Sequence, residues 1–129
     1  MGQQQMLLMI LATIVVGISI RVGFQIVDSQ NMQQNRDQLM IQAQNIYGYA
    51  EQYATKSQRQ AGGAGTYTNF TLPKSMTQSV AGSFVVTVSG TTNLTIIGTG
   101  TVKGNNGTSP VSITSTITNR KFAKMATNN

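Results

Sequence analysis

From Met6 to Val27 the chain is almost uninterruptedly apolar, MLLMILATIVVGISIRVGFQIV, with polar side chains only at Thr13, Ser19, Arg21 and Gln25. As a helix these 22 residues span roughly 33 Å at about 1.5 Å each, which matches a bilayer core. The remainder of the chain lacks the mass to bury such a helix on every side, so the segment needs lipid or copies of itself. A cleaved secretory signal fits badly, because no Lys or Arg precedes the run and the run is too long. An N-myristoyl signal would need Ser or Thr where Met6 stands.

The pattern changes at Asp28. Residues 28–60 are rich in Gln, and Leu39, Ala43, Ile46, Ala50 and Ala54 recur at helical spacing with a polar back. No strong stop separates the two zones. The spacing predicts a nearly continuous helix from Gln3 to Gln60, roughly 87 Å long, with Gly17, Gly23 and Gly48 as soft points. The run Ala61-Gly62-Gly63-Ala64-Gly65 is expected to end it.

Beyond a Gly-rich connection over 61–82, the period falls to two. Residues 66–119 hold fourteen Thr, a residue that favours strands. Phe84, Val86 and Val88 share one face of a first run. Leu94, Ile96 and Val102 share a face of the second, and Val111, Ile113 and Ile117 of the third. Gly90-Thr91-Thr92 and Gly104-Asn105-Asn106-Gly107 are the turns between them. Gly98 and Gly100 mark a close backbone approach or a bulge. The expected fold is α+β: a long N-terminal helix packed on a small antiparallel meander of three to four strands. Its parts are residues 1–27, an apolar helix half; 28–60, an amphipathic half; 61–82, the connection; and 83–129, the sheet with a basic tail. Three strands alone are marginal, so Leu39, Ala43, Ile46 and Ala50 are expected to cover Phe84, Val86, Leu94, Ile96 and Ile113.

Composition narrows the chemistry. The chain has no His, no Cys and no Trp, and its acids are Asp28, Asp37 and Glu51 alone. That excludes His or Cys metal sites, thiol and Ser–His nucleophiles and disulfides. A carboxylate pair would have to come from one helix, a poor arrangement for acid–base work. A non-enzyme without a cofactor is expected. The net charge of +6 is spread thinly, and only Arg120, Lys121 and Lys124 cluster, which reads as a weakly basic surface rather than a nucleic-acid site. The distribution of cations around the apolar segment sets no membrane orientation.

An apolar helix running without a break into an amphipathic half, which packs on a small antiparallel sheet across a Gly-rich loop, resembles a type IV pilin or a related pseudopilin. The likeness covers the whole chain in architecture and is concentrated in residues 1–60. It implies a structural filament subunit. Its helix sits in the inner membrane before assembly and in the filament core afterwards, on the cell surface. The implied partners are other copies of the chain and a pilus assembly machinery. The sequence departs from that pattern in having no basic leader and no disulfide loop. With Met1 as the first mature residue, Gln5 stands where a pilin carries a Glu, and an amide can hydrogen-bond a neighbouring amine but cannot charge-pair with it. Cleavage after Gly2 would put Leu7 there instead.

On this reading Met6, Leu7, Met9, Ile10, Leu11, Ile14, Val15, Ile18, Val22 and Phe24 pack the filament core. Gln5, Arg21 and Asp28 are the candidate intersubunit polar contacts. Arg21 has a second reading, as a boundary residue that snorkels out of a bilayer. Phe24, Tyr47, Tyr49 and Tyr53 read as packing. Asn69, Asn93 and Asn106 open N-x-Thr sequons that would carry sugar in an external domain. Two other readings remain: a monomeric membrane-anchored surface domain that binds a partner, and a small viral coat-type protein, against which the Thr-rich sheet counts. Polar side chains on several faces of residues 6–27 favour a protein-shielded core over lipid.

Overall fold

The structure, a computed structural model, describes residues 2–128. The chain divides into two compact units, with the boundary between Asn31 and Met32. The element order is helix α1 (Gly2–Thr55), a 3-10 turn (Gln58–Gln60), a one-turn helix α2 (Lys74–Thr77), and strands β1 (Gln78–Ser79), β2 (Gly82–Ser89), β3 (Asn93–Lys103), β4 (Pro110–Thr118) and β5 (Lys121–Asn128). This is the α+β architecture that the periodicities predict, with a sheet of five strands rather than three or four.

The sheet is a simple antiparallel meander, β1-β2-β3-β4-β5. Burial alternates along β4, with Val111, Ile113, Ser115 and Ile117 inward. Along β3, Leu94, Ile96 and Gly98 point inward. Helix α1 lays Asn35, Leu39, Ala43, Ile46, Ala50 and Ala54 into the same core. Three alanines in that stripe carry no bulk beyond Cβ, and Leu39 and Ile46 are its large buried side chains. Val86 and Val88 are only partly buried, because β2 has just the two-residue β1 on its outer side.

Two glycines make room on this inner face, Gly98 for a side chain of the sheet itself and Gly100 for one of the helix. A Cβ at Gly98 would lie 2.7 Å from Phe84 Cε1, and one at Gly100 would lie 2.0 Å from Asn35 Oδ1. Asn35 is buried, and its Nδ2 donates to Ala81 O at 2.9 Å, tying α1 to the start of β2. The pairing of β3 with β4 also shifts register between Thr99 and Lys103. Both readings of the Gly-x-Gly pattern therefore hold: a close approach at 98 and 100, and an irregularity beside them.

The helix ends at Thr55, five residues before Gln60. The connection folds back and takes its last carbonyls: Gly63 N–H donates to Tyr53 O at 2.8 Å, and Gly65 N–H to Ala54 O at 2.6 Å. Those bonds supply the partners that a helix C-terminus lacks. Residues 61–82 are also more than a connection. Tyr67, Phe70 and Ala81 are core residues, and Leu72 and Met76 pack against them.

The expected basic tail is strand β5. The β4–β5 hairpin turns on Asn119 and Arg120, with φ of 52° and 61°, the type I′ conformation that suits the twist of a two-residue hairpin. A left-handed arginine costs about 1–2 kcal/mol. Arg120 is held there on three sides. Its N–H donates to Thr92 O at 3.1 Å, its carbonyl accepts Tyr47 OH at 3.1 Å, and its Nη2 donates to Glu51 Oε2 at 2.9 Å. The other oxygen of Glu51 accepts the hydroxyl of Tyr67. One carboxylate on α1 thus joins the connection and the last hairpin.

Ile46→Asp should unfold the globular unit, because an unpaired charge inside the seam costs about 4 kcal/mol or more. Gln44→Asp, on the exposed back of the helix, should change stability by about 0.5 kcal/mol or less. Urea unfolding of the two variants checks this, and equal effects would place the seam on a different face.

Burial and the Glu51 hydrogen bond push the Tyr67 phenol up, and burial with the Glu51 charge pushes Tyr47 up. Unfolded phenols ionise at about pH 10. Above that pH the unfolded chain loses protons the native chain keeps, so stability is full below about pH 10 and falls as pH rises further. Tyr67→Phe should unfold more easily at neutral pH and show a flatter decline above pH 10 than the parent, read from thermal melts across pH 8–11.

Candidate assembly surface

Every residue from Gly2 to Asn31 is exposed. Met6, Leu7, Met9, Ile10, Leu11, Ile14, Val15, Ile18, Val22 and Phe24 all lie open, from 48% for Val22 to 74% for Met9. Soluble surfaces scatter single apolar residues, but a contiguous apolar surface of this size marks a protein or membrane contact. Helix α1 is long and apolar enough to cross a membrane, which makes membrane embedding compatible with the fold.

The polar positions in this segment divide into two kinds. Thr13 Oγ1 donates to Met9 O at 2.9 Å, and Ser19 Oγ donates to Val15 O at 2.8 Å. Both hydroxyls are satisfied within the helix, so a lipid surround tolerates them. The expectation that polar atoms on several faces disfavour lipid is corrected on this point, since the hydroxyls no longer count. Arg21, Gln25 and Asp28 remain. At 100° per residue they fall on one side of the helix. None has a side-chain hydrogen bond or ion pair among the described residues. Gln5 lies at the other end of the segment, exposed. Arg21 and Asp28 are not paired within the chain.

The globular unit presents smaller surfaces. The sheet face away from α1 carries cross-strand rows of hydroxyls: Ser83, Thr99 and Ser112 in one, Thr87, Thr95 and Thr116 in another. Between these rows the apolar pair Val85 and Ile97 lies directly opposed and exposed. Ile41 on α1 and Val80 at the β1–β2 turn line a second open patch, and Val80 is 96% exposed. Val80 sits in a stretch whose only sequence signal is that of a connection, so its role as an exposed apolar tip shows in no periodicity.

The three sequon asparagines differ in setting. Asn69 is exposed at a left-handed φ of 62°. Asn93 is half-buried at the start of β3, where its Oδ1 accepts Asn119 N–H at 3.1 Å and helps build the last hairpin. Asn106 is exposed in the β3–β4 turn, where its Oδ1 accepts the N–H groups of Thr108 and Ser109, each at 3.0 Å.

Among the described residues no group of three or more His, Cys, Asp or Glu side chains is placed to hold a metal. Compared with protein-family models, curated proteins and solved structures, the chain matches none.

The core of the globular unit lies entirely within residues 32–129. A chain beginning at residue 29 should therefore melt cooperatively, whereas residues 66–129, stripped of Leu39, Ala43, Ile46 and Ala50, should be soluble but poorly folded. Calorimetry of both fragments decides it, and equal sharp transitions would mean that the sheet has another cover.

Proposed function

We propose that the protein is the structural subunit of a filament, polymerised through residues 6–27 and held in a membrane before assembly, as in the type IV pilin-like proteins whose architecture it resembles. The reading rests on one observation: an apolar helical segment long enough to span a bilayer is exposed on every face, while the rest of the chain closes a core without it. Burial of that surface is worth about 25 cal/mol per Å² against water, so the segment does not stay in solvent. Leaving lipid for a protein core gains far less, because acyl chains are equally apolar. Assembly from a membrane therefore needs machinery that supplies work.

The globular unit is then the exterior of the polymer, on the cell surface. Its exposed faces are hydroxyl-rich, and the cluster of ionisable groups at Glu51, Tyr67 and Arg120 is bonded within itself. The role is structural, with no cofactor and no catalysis. A second reading, a monomeric membrane-anchored domain, is favoured by the satisfied hydroxyls of Thr13 and Ser19, which suit lipid as well as protein.

Negative-stain microscopy of native surface material separates the two. Filaments built of this chain are expected. The full-length chain freed of detergent should polymerise or precipitate, and a stable soluble monomer would overturn the proposal.

A further inference from the structure

Arg21 and Asp28 carry opposite charges on one side of an otherwise apolar helix segment, both exposed and neither paired. Seven residues separate them, roughly 10 Å along the axis. Helical side chains meet at three or four residues, so these two do not reach each other within the chain. A water-excluded core would leave an unpaired guanidinium at a large desolvation cost. A second copy lying parallel and displaced by seven residues brings its Asp28 level with Arg21.

The same displacement does a second thing. It brings Phe24 of that copy level with Gly17 of the first, because these positions also differ by seven. Phe24 is 67% exposed and is the bulkiest side chain of the apolar segment. Gly17 has open space where a Cβ would stand. Gly17, Arg21, Phe24 and Asp28 all fall within a sector of roughly 60° at 100° per residue. A charge pair and a knob-and-hollow pair therefore call for one and the same stagger on one side of the helix.

Resting on the filament reading, we infer that neighbouring copies pack in parallel with a seven-residue stagger, Arg21 of one against Asp28 of the next, and that copy's Phe24 over the first copy's Gly17. The contact joins residue i to a different residue j, so it is heterologous and repeats without closing. Each copy offers Arg21 to one neighbour and Asp28 to another from the same narrow sector. That is possible where the sector faces the axis around which the copies wind, since both neighbours then flank it. The polar stripe lies at the centre of the bundle, and the remaining apolar faces pack around it.

The chain has no native cysteine, which makes the contact directly testable. In filaments of an R21C/D28C double variant, mild oxidation should give a ladder of multimers on a non-reducing gel. An intrachain bond is excluded by the separation, because a disulfide requires Cα atoms within about 7 Å. R21C and D28C alone should give nothing larger than dimers. Filaments of the double variant that oxidise to monomers or dimers only would overturn the stagger. If the cysteines prevent assembly, the charge exchange decides. Arg21→Asp and Asp28→Arg should each lower filament yield at least tenfold, and the two together should restore it. An exchange as defective as the single reversals would overturn the contact. If the parent chain forms no filaments at all, the filament reading itself fails. Parent filaments without the ladder or the rescue refute the stagger alone.

Discussion

A five-stranded antiparallel sheet with one apolar face needs a second layer, and the long helix α1 supplies it. The rest of the globular unit is arranged around the buried stripe of that helix. Ala43, Ala50 and Ala54 keep its surface low, Leu39 and Ile46 fill the space between them, Gly100 makes room for Asn35 of the helix, and Gly98 makes room for the Phe84 ring. The segment from Tyr67 to Met76 then adds Tyr67 and Phe70 to the same core, with Leu72 and Met76 packed against it. Aromatic rings complete the margins: Tyr53 and Phe70 at 5.4 Å, and Tyr47 edge-on to Phe122 at 5.8 Å.

Within this apolar arrangement Glu51 has an uncommon part. It is the acid through which three segments distant in sequence are joined, with Tyr67 on one oxygen and Arg120 on the other. The left-handed arginine of the hairpin persists because its backbone and side chain are both engaged. A turn of Asn-Arg, with no glycine, would be a weak hairpin signal in isolation. Its conformation is specified by contacts from α1 and the β2–β3 turn rather than by the turn's own residues.

That division explains what the sequence makes legible. The long helix, its stripe and β2 to β4 announce themselves through spacings of 3.6 and 2, because each buries one face against one partner. Strand β5 does not. Lys121 and Lys124 interrupt any apolar alternation, as charges on a sheet edge commonly do, since they block pairing with a further strand. Tyr67 is legible only through tertiary structure. It is fully buried from within a Gly- and Thr-rich loop, by a position no period governs. The helix stop at Thr55 is likewise set by amides ten residues downstream, which take the carbonyls of Tyr53 and Ala54. In the apolar half, composition identifies the surface. The hydroxyl bonds of Thr13 and Ser19 change what that composition means, because satisfied polar atoms no longer distinguish lipid from protein.

The fit of Asn35 over Gly100 has an evolutionary consequence. The amide oxygen occupies the space of a side chain at position 100, and the amide nitrogen holds Ala81 O. Neither residue can change freely while the other stays. A side chain at 100 requires a smaller residue at 35, which in turn strips the Ala81 carbonyl of its donor. The two positions, 65 apart in sequence, form a coupled pair in which drift at one site is constrained by the other. In a set of descendants of this chain they should co-vary, while the threonines of the opposite sheet face vary independently of one another.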